Sequence, residues 1–345
     1  MKTNRLDFQL RKLMYLGFML FIVSACQASV PTSASLTNVS GTEQVQSEEF
    51  ELEIGPGTFF LANPYVGLAD LSSYTATLTR TFEGSMSGEA QQWSESYVML
   101  RDNEAASSQL SYSTTGDMAT DPVLFAEVGQ NAYAKSGAEA CAADSIDPEI
   151  SSIERTDPAG LLSVLLGADE AGQEDVNGVA ADHFTFDERA LGKVDLEKSN
   201  GEIWVAADGG YILKYTLTTT GGDTAFGEGV EGTMTWDYAL TEINATVLPA
   251  LPDGCQLNAP LLADATDVLH TPYWLAYGTA TAVSDAAGFY QEQLPGFGWT
   301  LLTGPFVGEA STFMEFTLGD QTIGVSISAG ETGTAVNVVL YTSGE

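Results

Sequence analysis

Basic residues are scarce in this chain: 12 Lys and Arg stand against 47 Asp and Glu, a formal net charge of −35 at pH 7. A surface of that sign repels phosphates, which excludes nucleic acid as a partner. Charged residues make up only 17% of the sequence, so the imbalance reflects missing Lys and Arg rather than dense carboxylates. Solubility in a salty exterior accounts for it; binding of calcium or of a cationic partner is the sharper alternative. Histidine is also rare. His183 and His270 are the only two, and neither has a second His or a Cys at ligand spacing, so a zinc centre lacks donors. No G-x-S-x-G turn and no S-x-x-K occur, which removes the usual signatures of serine hydrolases and penicillin-binding enzymes. Long apolar runs are missing too. Leu13–Val23 holds 11 residues, whereas a membrane-crossing helix needs roughly 20.

What is present supports a folded, exported protein. Hydrophobic residues make up 44% and aromatic residues 10% of the chain, enough for a real core. Lys2, Arg5, Arg11 and Lys12 precede the apolar run, which ends in Val23-Ser24-Ala25-Cys26. This layout is that of an export signal, and its last four residues resemble a bacterial lipobox. Residues 1–25 are therefore expected to be removed and Cys26 to carry an acyl anchor of the palmitate type, placing the body outside the cytoplasm on a membrane. The mature chain would hold 46 acids against 8 bases. Cys141 and Cys255 then remain as an even pair in an oxidising compartment, and a disulfide is expected between them. Residues 26–49 are rich in Ser and Thr and read as a flexible tether with a reach of roughly 25 Å.

Residues 50–247 read as one β-rich unit. Tyr74, Ala76 and Leu78 alternate with Thr75, Thr77 and Thr79, and Tyr211, Leu213, Tyr215 and Leu217 alternate with polar neighbours. Met234, Trp236, Tyr238 and Leu240 repeat the pattern, and Asp208-Gly209-Gly210 marks a hairpin. Between these strands, Asp157 as cap, Pro158 at the first position and Gly167 as stop predict a helix. Its stripe of Leu161, Leu162, Leu165 and Leu166 would face the sheet. A Pro-rich linker at 248–258 leads to a smaller α+β module at 259–345. There a helix over Val283–Leu294 is expected to pack on four or five strands.

Other motifs dissolve on inspection. Gly227-Glu228-Gly229-Val230-Glu231-Gly232 fits G-x-G-x-x-G but leads into a strand, so no helix N-terminus meets a phosphate. The acids Asp169, Glu170, Glu174 and Asp175 lack the ligand order of a calcium loop and read as a solvated acidic loop. No pair of carboxylates stands out for glycoside hydrolysis. The sequence thus offers no catalytic residue, cofactor or metal site.

Three segments carry a family resemblance: Ser73-Tyr74-Thr75-Ala76-Thr77-Leu78, Asn177-Gly178-Val179-Ala180-Ala181-Asp182-His183-Phe184-Thr185-Phe186-Asp187, and Gly201-Glu202-Ile203-Trp204-Val205-Ala206-Ala207-Asp208-Gly209-Gly210-Tyr211-Ile212-Leu213-Lys214-Tyr215. Together they resemble bacterial lipoprotein and lipid carriers of the LolA-like and LppX/LprG-like kind. That resemblance implies an α+β fold: a curved antiparallel half-barrel covered by helices, whose concave side binds acyl chains. Around Phe289–Trp299 the C-terminal module looks instead like an accessory domain of other bacterial lipoproteins. The expected function is a non-enzymatic, membrane-anchored lipoprotein that holds a lipid or other hydrophobic ligand. Tyr74, Leu78, Leu161, Leu165, Tyr215 and Trp236 are the candidate cavity lining, and they are equally the expected core. The alternative is a structural or sensory envelope module that binds a protein or glycan through its second half.

Overall fold

A computed structural model describes residues 58–145, 152–193, 196–330 and 333–342. The expected signal peptide, Cys26 and the tether lie outside the described residues. The described part belongs to one compact unit, Glu53–Glu345, that holds two sheets.

The first sheet has twelve strands. They are β1 (Phe59–Leu61), β2 (Ser73–Met86), β3 (Glu89–Asp102), β4 (Ser107–Gly116), β5 (Val123–Val128) and β6 (Asn131–Ser136). After these come β7 (Ala142–Ser145), β8 (Leu165–Val176), β9 (Val179–Phe186), β10 (Leu196–Ala206), β11 (Ile212–Gly221) and β12 (Val230–Thr241). Their order is β1-β8-β9-β10-β11-β12-β2-β3-β4-β5-β6-β7, all antiparallel, and the sheet is open and curved. Two up-and-down runs, β2 to β7 and β8 to β12, are joined along β2 and β12, from Val230 opposite Met86 to Thr241 opposite Thr75. Tight turns hold the register. Asn177 (φ 55°) and Gly178 (φ 87°) link β8 to β9, and both adopt the positive φ that a two-residue hairpin turn requires.

Alternation decides which face is buried. Tyr74, Ala76 and Leu78 of β2 point to an inner core with Tyr215, Leu217, Tyr238 and Leu240, while Thr75, Thr77, Thr79 and Thr81 take the outer side. The predicted leucine helix does not form. Asp157 does cap a helical turn, accepting from the Ala159 amide, but that turn is a 3-10 helix of four residues, Pro158–Leu161. Leu165 and Leu166 instead open β8. Four leucines in six positions satisfy a helical stripe and a strand equally, and pairing with β1 and β9 decides for the strand. The acidic residues from Asp169 to Asp175 likewise sit on β8, exposed, rather than in a loop. The remaining helical cover on this sheet is short: α1 (Ser152–Thr156) and 3-10 turns at Leu68–Asp70 and Glu188–Leu191. A further single turn, α2 (Asp223–Phe226), precedes β12.

The second sheet has six strands, more than the sequence suggests: β13 (Thr266–His270), β14 (Trp274–Thr279), β15 (Thr300–Val307), β16 (Ser311–Leu318), β17 (Gln321–Ala329) and β18 (Thr334–Thr342), in the order β13-β14-β18-β17-β16-β15. Helix α3 (Val283–Gln293) packs Ala286, Ala287 and Tyr290 onto one face, against Leu275, Tyr277, Met314, Phe316, Ile323, Val325, Val336 and Val338.

A third small core ties the linker to the first sheet: Ala126, Tyr133, Cys141 and Cys255. Cys141 and Cys255 form a disulfide across 114 residues. Beside it, the Asn131 side chain accepts from the His270 amide at 3.1 Å and donates to the Val268 carbonyl at 2.8 Å, imitating a strand partner for β13. The Tyr133 hydroxyl donates to the His270 carbonyl at 2.6 Å.

Candidate functional site

Three surfaces compete as the functional site. The first is the inner face of the twelve-stranded sheet. Tyr74, Leu78, Leu165, Tyr215 and Trp236 all belong to one core cluster, and Leu161 packs against it. Register brings several of them together: Tyr215 lies opposite Tyr238, and Tyr238 opposite Leu78, with Trp236 opposite Leu217 and Arg80 in the next row. Tyr74, Leu78 and Tyr215 have 0% exposure, Leu165 1% and Trp236 8%, so other protein atoms already occupy their surfaces.

That face also holds buried polar groups. The Arg80 guanidinium pairs with Glu95, whose carboxylate accepts from the hydroxyls of Tyr97 at 3.3 Å and Tyr112 at 3.2 Å. Burial, with Glu95 close by, pushes the Tyr97 hydroxyl up to about 12, although the Arg80 charge pulls the other way. Trp93 Nε1, Trp236 Nε1 and the Tyr238 hydroxyl are buried with no partner among the described residues.

The second surface is the outer face of the same sheet. Thr218, Thr235, Thr81, Ser94 and Thr115 form one row across five strands. A shallow groove of about 310 Å³, open to solvent, runs along it between Thr81, Gln92, Ser94, Thr115, Thr233 and Thr235. Farther along the sheet, the Trp204 indole lies between the His183 ring (4.4 Å, 5° between planes) and Lys214 Nζ (4.3 Å). Trp204 Nε1 donates to Glu174, and Glu174 and Glu202 flank the two His183 nitrogens at 3.3 and 3.6 Å. His270 makes its own contact elsewhere, Nε2 to the Leu257 carbonyl at 2.8 Å, and burial holds its pKa below the ordinary value. Each histidine is thus bound into the framework, and no group of three or more metal-ligating side chains occurs among the described residues.

The third surface is the open face of the six-stranded sheet, opposite α3. Register sets out its rows: Trp274, Val339, Gly324, Glu315 and Thr303 in one; Ala276, Asn337, Ser326, Phe313 and Phe306 in the next. Tyr341 lies two residues from Val339 on the same side. Trp274 is 43% exposed, Val339 42%, Tyr341 39%, Phe313 38% and Phe306 61%. The Tyr341 hydroxyl donates to Glu315. Met314, Phe316, Val336 and Val338 alternate onto the face buried beneath α3, and the residues between them make up the opposite one. The signal was there: in β15, β16 and β18 apolar residues occupy both parities, which a sheet covered on one side does not require.

No protein-family model matches this sequence, and no curated protein sequence matches it. Solved structures similar to it include LprF from Mycobacterium bovis, at 13% identity over 53% of this chain and 90% of that one, with a TM-score of 0.28. The MucA/MucB complex of Pseudomonas aeruginosa is similar at 13% identity over 80% of this chain and 90% of that one, with a TM-score of 0.23. A DUF1329 family protein from Desulfovibrio piger ATCC 29098 gives 9% identity over 54% of this chain and 90% of that one, with a TM-score of 0.12.

Proposed function

We propose that this protein is a non-catalytic binding protein, held outside the cytoplasm by a lipid on Cys26, that engages a protein partner through the open face of its six-stranded sheet. One observation carries the reading. Five large apolar side chains stand between 38% and 61% exposed on that face, whereas Tyr74, Leu78, Leu165, Tyr215 and Trp236 on the inner face of the first sheet are at most 8% exposed. Covering the exposed half of one such side chain contributes roughly half of the about 1.5–3 kcal/mol that full burial gives, and contiguous exposed apolar surface marks interaction sites in soluble proteins. The division of labour follows: residues 50–247 form the body, and residues 259–345 present the docking surface. The Cys141–Cys255 disulfide suits an oxidising exterior. Recovery of the full-length protein from solubilised envelopes tests the reading. A partner retained by the native protein and lost with Phe306→Ser/Phe313→Ser supports it; an identical set of co-purifying proteins with both forms contradicts it.

A second reading, carriage of a hydrophobic ligand against the inner face, is favoured by the unpartnered Trp93 Nε1, Trp236 Nε1 and Tyr238 hydroxyl, which a ligand's polar end would satisfy. It requires the core around Tyr74, Leu78 and Tyr215 to open. Native mass spectrometry of protein prepared without detergent decides: a bound lipid-sized mass supports this reading, and its absence, with no uptake of a fluorescent fatty acid, rejects it.

A further inference from the structure

We propose that the segment covering the open face of the six-stranded sheet is basic, and that one of its Arg or Lys side chains is received by Phe313, Tyr341 and Glu315. This rests on the reading of that face as the docking surface and names the chemistry of what docks. Glu315 sits inside the aromatic grid, flanked along β16 by Phe313 and across β17 by Gly324. Gly324 is the floor. A Cβ there would come within 3.2 Å of Tyr341 Cε1 and 3.3 Å of Phe313 Cε2, so both rings close over bare backbone because no side chain intervenes. The result is a carboxylate beside two ring systems, the surroundings that favour a guanidinium or ammonium.

Charge selects the occupant. From Tyr215 to the C-terminus the chain contains fifteen Asp and Glu and no Lys or Arg. Among the described residues Glu315 forms no ion pair; its contact is the Tyr341 hydroxyl, a neutral donor that burial and the carboxylate push up to about 12. An apolar partner laid over this face would strip water from a carboxylate left with one hydrogen bond, which is costly. An acyl chain has that defect, and an anionic headgroup adds repulsion. A second copy of this chain would bring another Glu315 and no cation from the same face. A basic segment meets both demands: its apolar residues cover Trp274, Val339 and Phe306, and its cation compensates Glu315 with a charge-assisted bond.

The experiment uses the full mature chain and a fluorescein-labelled twelve-residue peptide of alternating Arg and Leu, read by anisotropy. Three variants are compared: Glu315→Gln, which retains an acceptor for Tyr341; Asp285→Asn, which makes the same charge change on the exposed side of α3; and Phe313→Ser. Binding weakened about ten-fold or more by Glu315→Gln and by Phe313→Ser, but less than about two-fold by Asp285→Asn, is the expected result. Equal small effects of Glu315→Gln and Asp285→Asn would mean diffuse attraction to a polyanion and overturn the inference; a loss in Phe313→Ser would then still leave the docking face standing. If Phe313→Ser also has no effect, the docking face falls with it.

Discussion

The Tyr74 hydroxyl donates to Asp157 Oδ2 at 2.7 Å, with both side chains shut away from water. Asp157 Oδ1 accepts from the Ala159 amide at 2.8 Å, so one carboxyl fastens the 3-10 turn to β2. Burial pushes this carboxyl above its ordinary value of 3.8, against the hydrogen bonds that pull it down. The folded protein thus keeps a proton that the unfolded chain releases. The contribution of this group is full below the unfolded value and is lost as pH rises through the folded one. Asp157→Asn should flatten that slope in urea titrations run upward from about pH 3.5. Asp157→Ala should cost about 1–3 kcal/mol for each of the two donors it orphans. Parallel pH curves for the native protein and Asp157→Asn would contradict this.

Arg80 and Glu95 form a nearly buried pair, with side-chain exposures of 12% and 9%. Removing one partner leaves a charge without compensation, so Glu95→Ala should destabilise by about 3–5 kcal/mol. Glu95→Gln should cost less, because its carbonyl can still accept from Arg80 and Tyr97 in place of Oε2, while its amide nitrogen can donate to the Tyr112 hydroxyl in place of Oε1. Equilibrium unfolding measures both, and equal losses would show that the hydroxyl contacts carry nothing.

The disulfide closes a long loop that carries β7 to β12 of the first sheet. Cys141→Ser/Cys255→Ser should lower stability by about 2–5 kcal/mol. Asn131→Ala should add a smaller loss, since His270 N–H and the Val268 carbonyl lose their side-chain partner. Unchanged thermal unfolding of the double serine variant would refute the stabilising role.

The anchor is tested in cells. Cys26→Ser should abolish labelling by radioactive palmitate and move the protein from the membrane fraction to the soluble one. Continued membrane retention of this variant would show that Cys26 does not carry the attachment.

Much of the β architecture was legible because its strands alternate cleanly, as from Tyr74 to Leu78 and from Tyr211 to Leu217, and because Asn177-Gly178 and Gly209-Gly210 mark their turns. The Leu161–Leu166 segment was not, since a short leucine run fits a helical stripe and a strand alike. Sheet pairing, a long-range property, settled it. The open face of the second sheet was missed for a related reason. Alternation shows which residues can share a face but not whether anything covers it, and only the positions of α3 and its neighbours reveal that Phe313 and Val339 stay uncovered.

The central claim is that this face binds a protein, and site-specific photo-crosslinking in cells tests it most directly. A photoreactive phenylalanine analogue placed at Phe306, Phe313 or Tyr341 should give one discrete protein adduct, and the same group at Thr218 on the outer face of the first sheet should give none. Adducts from Thr218 alone, or no adduct from the three sheet positions, would contradict the account.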